Sequence, residues 1–107
     1  MNYIIRKMAV DDLEQVVAID QISFSLPWPP RSFYFEVTDN PAARCWVAEQ
    51  DGKVIAMVVA WFIVDEIHIA TIATHPDFRQ QGAGEDLLTH TLQFAKDEGA
   101  VTSFLEV

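Results

Sequence analysis

The dipeptide Asp51-Gly52 stands between two apolar runs, Arg44 to Gln50 and Lys53 to Val64. Asp-Gly readily supplies the two left-handed backbone positions of a two-residue hairpin turn, so the flanking runs pair antiparallel. A third run rich in isoleucine and threonine, Glu66 to Thr74, follows at once. Strands in this succession exclude a helical bundle and an ordinary barrel. Beyond them the clearest helical pattern spans about Ala83 to Glu98, with Leu87, Leu88, Thr91, Leu92 and Ala95 on one face and Gly99 as its C-cap. Val101 to Val107 reads as a last strand, which a right-handed crossover can place parallel to the third run.

Upstream, Tyr3 to Arg6 reads as a short first strand. Asp11-x-x-Glu14 opens a helix to about Ser23 in the manner of a capping box. Its apolar stripe is Leu13, Val16, Val17 and Ile22, interrupted by Asp20. Leu26-Pro27-Trp28-Pro29-Pro30 is a loop, because proline lacks the amide N–H and clashes with the preceding turn. A second short helix runs from Pro30 to Asp39, stops before Pro41, and turns Phe33, Tyr34 and Val37 inward. The order is therefore strand, helix, helix, three strands, helix, strand. That is a mixed α/β sheet, and 107 residues set a single domain over 1–107 as the ceiling.

Half of the residues are hydrophobic, enough to bury a core. Seven basic against sixteen acidic side chains give a net charge of −9. Such a surface repels phosphate backbones and argues against nucleic acid as the main partner. It suits a basic protein or peptide amine, and serves equally as a solvated surface that aids solubility. The lone Cys45, inside an apolar run, reads as an inert buried thiol and excludes an internal disulfide framework. His68, His75 and His90 show no metal-ligand spacing, so no metal is expected. His68 reads as a hydrogen-bonded structural group, His75 as a turn residue, and His90 as part of the polar helix face. No secretory signal opens the chain, and the run from Val54 to Val64 falls well short of the roughly 20 residues that span a bilayer. A soluble, cytoplasmic protein is expected.

Chemistry concentrates in Thr71-Ile-Ala-Thr-His-Pro-Asp-Phe-Arg79-Gln-Gln-Gly82-Ala-Gly84, which leads from the third run into the strong helix. Glycine allows close backbone approach to a ligand, and the free N–H groups of a helix's first turn form an anion site suited to a pyrophosphate. Neither a Walker loop nor Gly-x-Gly-x-x-Gly fits: no Gly-Lys-Ser/Thr follows, and Leu87 holds the third glycine's place. Taken alone, a bare Gly-x-Gly reads as well as a tight turn into a helix.

The longer pattern is more specific. Arg79-x-x-Gly82-x-Gly84, with Pro76 and Phe78 before it, resembles the acetyl-CoA motif of the GNAT N-acetyltransferases. Asp65-Glu66, Ile72-Ala73-Thr74-His75-Pro76-Asp77, Arg79 to Gly84, and Leu105-Glu106-Val107 are similar, in order, to the RimI-like branch, which acetylates the N-terminal amine of a ribosomal protein. Leu26-Pro27-Trp28 resembles that branch's substrate-side loop.

The resemblance implies a mostly antiparallel sheet flanked by helices and acetyl-CoA as cosubstrate. It implies that the backbone of Ile72, Ala73 and Thr74 takes the pantetheine arm as an added strand. Arg79 belongs to the same cofactor motif, and Gln80, Gln81, Gly82, Ala83, Gly84 and Glu85 would surround the pyrophosphate. Glu106 falls on the general base; read without the resemblance it is a solvated residue near the end of the chain. Trp28, Asp65 and Glu66 are candidates for the acceptor side, with a core role for Trp28 and an exposed strand entrance for the two acids as the plain alternatives.

Two departures from the family stand out. Glu85 and Asp86 place negative charge where a pyrophosphate would sit. The family's last helix and strands, with an Asn that contacts the cofactor and a Tyr that protonates the leaving thiolate, have no counterpart after Val107, as in a C-terminally truncated domain. An open edge there invites a homodimer. Two functions follow: an N-acetyltransferase of a protein's α-amine, or an impaired module that binds CoA or acts through assembly.

Overall fold

Both residues of the Asp51-Gly52 turn take left-handed backbone angles, φ 52° and 80°, as a tight hairpin requires. They join β2 (Ala43–Gln50) to β3 (Lys53–Ile63) in antiparallel register from Ala43↔Trp61 to Gln50↔Lys53. The computed structural model describes residues 2–105. Its remaining elements are β1 (Ile4–Lys7), α1 (Leu13–Ser23), α2 (Pro30–Thr38), β4 (Glu66–Thr74), α3 (Ala83–Glu98) and β5 (Thr102–Leu105). Single 3-10 turns at Val10–Asp12 and Pro76–Phe78 precede α1 and follow β4. The sheet order is β1-β2-β3-β4-β5, antiparallel throughout except for the parallel pair β4–β5. This is an α+β fold built on a mixed, mostly antiparallel sheet.

β3 is buried from Val54 to Ala60 because helices cover both faces of the sheet. On one face Trp46, Ala48, Val58, Ala60, Ile67 and Ile69 pack with Ala83, Leu87 and Ala95 of α3. On the other, Val47, Met57, Val59 and Ala70 pack with Val16 and Ile19 of α1 and Phe33 of α2. A continuous apolar strand, rather than an alternating one, is what two covered faces demand.

Several local expectations are corrected. The residue that secures the entry to α1 is Asp12, not Asp11: its Oδ2 accepts from Ala9 N at 2.7 Å, and its two oxygens take a fork from Arg6 at 2.8 Å each. The buried face of α1 carries Val16, Ile19 and Asp20, while Ile22 is 56% exposed. Asp20 therefore belongs to the inward face. In α2, Phe33 and Glu36 are buried and Tyr34 is exposed, because Glu36 finds partners in Trp61 Nε1 (2.9 Å) and Asn40 Nδ2 (2.7 Å). His90 is half-buried, edge-on to Trp46 at 5.0 Å, rather than on a fully polar face. Cys45 is partly buried, with burial foremost in pushing its thiol up to about 12.

Candidate active site at the free edge of β4

β4 has two different halves. From Glu66↔Thr102 to Ile69↔Leu105 it pairs with β5 on one side, while β3 pairs along the other. Between Ile69 and Thr71 the β3 register slips by one residue, Ala60↔Ile69 giving way to Val59↔Thr71, so Ala70 is a bulge. Beyond it, Ile72, Ala73 and Thr74 keep β3 on one side and have no described strand on the other. Backbone groups that point to an open edge are ready to accept another extended chain.

That edge borders a cleft of about 510 Å³. Ile72, Ala73, Thr74 and Arg79 line it, as do Gly84, Glu85 and Leu88 from α3 and Ser23 and Phe24 from the end of α1. The glycines shape its wall. Gly82, the N-cap of α3, has φ 87°, a left-handed value that a side chain resists. At Gly84 a Cβ would lie 2.9 Å from Thr74 Oγ1, so the missing side chain lets the helix start press against β4. The Gly-x-Gly pattern alone fits a ligand loop and a tight turn into a helix equally; in the fold each glycine has a conformational or packing reason.

No side chain caps α3. Its first-turn N–H groups at Ala83, Gly84 and Glu85 have no acceptor within the helix, which leaves donors and the positive end of the dipole at the cleft. Asp86 N is the first to bond back, to Gly82 O at 2.9 Å. The two acids at this terminus differ in place. Asp86 accepts a hydrogen bond from the Tyr3 hydroxyl, which pushes that phenol up to about 12, whereas Glu85 lines the cleft. Arg79 Nε donates to Thr74 O at 3.1 Å, so the one arginine of the loop braces it against the strand. Gln80 and Gln81 are exposed, and Ala83 contributes its methyl to the core.

A second cavity of about 280 Å³ adjoins the cleft, sharing Phe24 and continuing along β4 to the bulge. Asp20, Phe24, Ser25, Leu26, Trp28, Ala70 and Thr71 line it. Trp28 is both a core plug and a wall: its ring lies 5.2 Å from Phe33 and stacks on Trp61 at 6.3 Å, while its backbone N–H donates to Asp20 Oδ2 at 2.8 Å. Asp20 is 1% exposed. Burial raises its carboxyl above the ordinary range, against the lowering effect of the Trp28 N–H.

The structure thus brings Ile72, Ala73, Thr74, Arg79, Gly84 and Glu85 to one cleft, with Gly82 and Ala83 in the helix start beside it. It does not bring Asp65 and Glu66 there. They stand at the opposite end of β4, where Asp65 is exposed in the turn and Glu66 bonds His68 Nε2 at 3.0 Å. Glu106 lies outside the described residues. Asp20, Ser23, Phe24 and Thr71 were not among the predicted site residues. The available signal was an acid interrupting an apolar helical stripe seven residues before Pro27-Trp28. Among the described residues no group of His, Cys, Asp and Glu could hold a metal ion, and no helix is long and apolar enough to cross a membrane.

A bulged β4, a parallel β5 and an uncapped helix start beside the open strand edge define a GNAT N-acetyltransferase domain. The acetyltransferase (GNAT) family model matches residues 13–107, and the chain belongs to that family. The [ribosomal protein bS18]-alanine N-acetyltransferase of Escherichia coli (strain K12) is 30% identical over 105 residues, covering 96% of this chain and 68% of that protein. A Bacillus subtilis (strain 168) protein given the same name provisionally is 35% identical over 103 residues, with 96% and 68% covered. The crystal structure of the Escherichia coli ribosomal-protein-S18-alanine N-acetyltransferase superposes with a TM-score of 0.89 at 28% identity, covering 98% of this chain and 66% of that one. The chain thus spans about two thirds of the length of these relatives.

Proposed function

We propose that this chain binds acetyl-CoA in the β4–α3 cleft and carries the acetyl group to the N-terminal α-amine of a protein, as named for its bS18-acetylating relatives. The observation that carries the reading is the meeting, in one cleft, of the free edge at Ile72–Thr74 with the uncapped N-terminus of α3. The residues present fit the cosubstrate. An extended pantetheine arm would meet the open side of Ile72–Thr74, where Arg79 already holds Thr74 O, and a pyrophosphate would meet the first-turn N–H groups of α3. Gln80 and Gln81, exposed in the loop, are proposed to flank it, with Gly82 and Gly84 leaving that approach clear of side chains. Bound acetyl-CoA would supply the activated acyl group as a thioester.

The chain's own residues would do the rest. A protein α-amine is largely protonated near neutral pH, and its lone pair attacks only after that proton leaves. Glu106 is proposed as the acceptor of the proton, directly or through water. The new amide bond forms as the carbon–sulfur bond of the thioester breaks, and the thiolate leaves with a proton from the solution. Trp28 is proposed to wall the acceptor path, and Asp65 and Glu66 to draw a cationic acceptor toward the domain from their more distant end of β4. The reading carries with it a cytoplasmic location and no need for a metal.

Calorimetry with acetyl-CoA tests the first half, and thiol release with an amine-bearing peptide tests the second. Binding without any thiol above background would favour the alternative, an impaired CoA-binding module. One feature favours an assembly role alongside either outcome: among the described residues β5 lies at the edge of the sheet with all of its residues exposed, next to an exposed Val101. We propose that this edge pairs two copies, and light scattering that shows a single stable monomer at high concentration would rule it out.

A further inference from the structure

Three buried side-chain polar atoms have no hydrogen-bond partner among the described residues: Asp20 Oδ1, Ser23 Oγ and Gln50 Oε1. Two of the three lie on the last turn of α1, three residues apart and so on one helix face. Their placement is not random. Asp20 lines the cavity at the β4 bulge and Ser23 lines the cofactor cleft, the two spaces that share Phe24. A buried polar atom without a partner costs on the order of 1–3 kcal/mol, more for a charge, so each one calls for a physical reason, and a bound ligand is one.

We propose that the last turn of α1 is the subsite for the acceptor's amine: Asp20 Oδ1 receives the ammonium of a free protein N-terminus, and Ser23 Oγ takes a second hydrogen bond at the mouth of the cofactor cleft. The proposal deepens the acetyltransferase reading and rests on it for the direction of transfer. Three features fit an α-ammonium. It carries three N–H donors around one charge, and Asp20 offers one free oxygen, its other being held by Trp28 N at 2.8 Å. The walls of Phe24, Leu26 and Trp28 are apolar, as suits a small uncharged first residue. The bulge at Ala70 puts Thr71 into the same cavity, so the amine would stand beside β4 just before the open stretch Ile72–Thr74.

The test uses the full chain and two peptides of six residues that begin with alanine, one with a free N-terminus and one N-acetylated. Wild-type protein is expected to bind the free peptide about 10- to 100-fold more tightly, the usual worth of a hydrogen bond to a charged partner. Asp20→Asn is expected to lose that preference with its affinity for acetyl-CoA unchanged within about twofold, and Ser23→Ala to lose a smaller part of it. Equal binding of both peptides by the wild type, or a preference kept by Asp20→Asn, overturns the subsite and leaves the acetyl-CoA reading standing. No binding of acetyl-CoA overturns that reading, while a free-peptide preference that depends on Asp20 still supports the subsite. Should Asp20→Asn fail to fold, amide shifts on adding the free peptide to wild-type protein decide: shifts centred on Asp20, Ser23 and Trp28 support it, and shifts confined elsewhere overturn it.

Discussion

The two ends of α1 each hold a buried aspartate, and the two are treated in opposite ways. Asp12, beside the helix start, has every need met: a bidentate Arg6, the Ala9 N–H, and a link through Arg6 Nε to Glu49 at 2.8 Å. The Arg6 hydrogen bond holds its carboxyl below the usual carboxylate range. Asp20, two turns on, has one backbone donor, one unpartnered oxygen and a carboxyl raised by burial. The first acid ties α1 to β1 and β2. The second carries an unrelieved cost next to two adjoining cavities, where a bound cation would relieve it.

Substitutions sharpen the contrast. The largest effect is expected at Asp12→Ala, which strands the Arg6 fork and the Ala9 N–H. Because Arg6 is partly exposed and keeps Glu49, the loss is set at about 1–3 kcal/mol, readable in urea unfolding. Asp20→Asn is expected to shift stability the other way, by about 0–1 kcal/mol in favour of folding, since it removes a buried charge and keeps an acceptor for Trp28 N. Equal losses at both sites would break the comparison.

Acidity separates them too. The folded pKa of Asp12 is depressed, so its contribution is present above the unfolded value of about 3.9 and is lost as pH falls through the folded value. The folded pKa of Asp20 is raised, so its charge weakens the fold above that value, and stability recovers as pH falls toward about 3.9. Unfolding of Asp12→Asn across acid pH should lose the drop, and that of Asp20→Asn the recovery.

A smaller effect is expected where α3 touches β4. Gly84→Ala sets a methyl 2.9 Å from Thr74 Oγ1. The hydroxyl has to move, which offsets the gain of about 1 kcal/mol that alanine brings to a helix. In a Thr74→Ala background the same change is expected to stabilise by a few tenths to about 1 kcal/mol. Thermal melts of the four proteins read the sign change.

Most of the architecture was legible in the sequence because strong local chemistry agreed with the tertiary fold. Asp51-Gly52 fixed the hairpin, the apolar β3 run reported two covered faces, and α3 kept a regular stripe from Leu87 to Ala95. The failures sit where polar side chains are buried. An apolar stripe reads Ile22 and Tyr34 as inward and Asp20 as an interruption, and it gives no role to Glu36, whereas partners across the fold bury both acids. The cleft between β4 and α3 was legible in the Arg79 to Gly84 pattern, whose two ends line it. The Asp20–Ser23 face was not, because the partnerless atoms that mark it emerge only when α1 docks on the β4 bulge.

We propose that the open half of β4 and the start of α3 together hold acetyl-CoA. Backbone amide NMR during an acetyl-CoA titration tests it most directly. Saturable shifts are expected at Ile72, Ala73 and Thr74 and from Gln80 to Glu85, with the paired half of β4 from Glu66 to Ile69 little changed. Saturation with acetyl-CoA that leaves both stretches unmoved, or that moves only residues elsewhere, would contradict it.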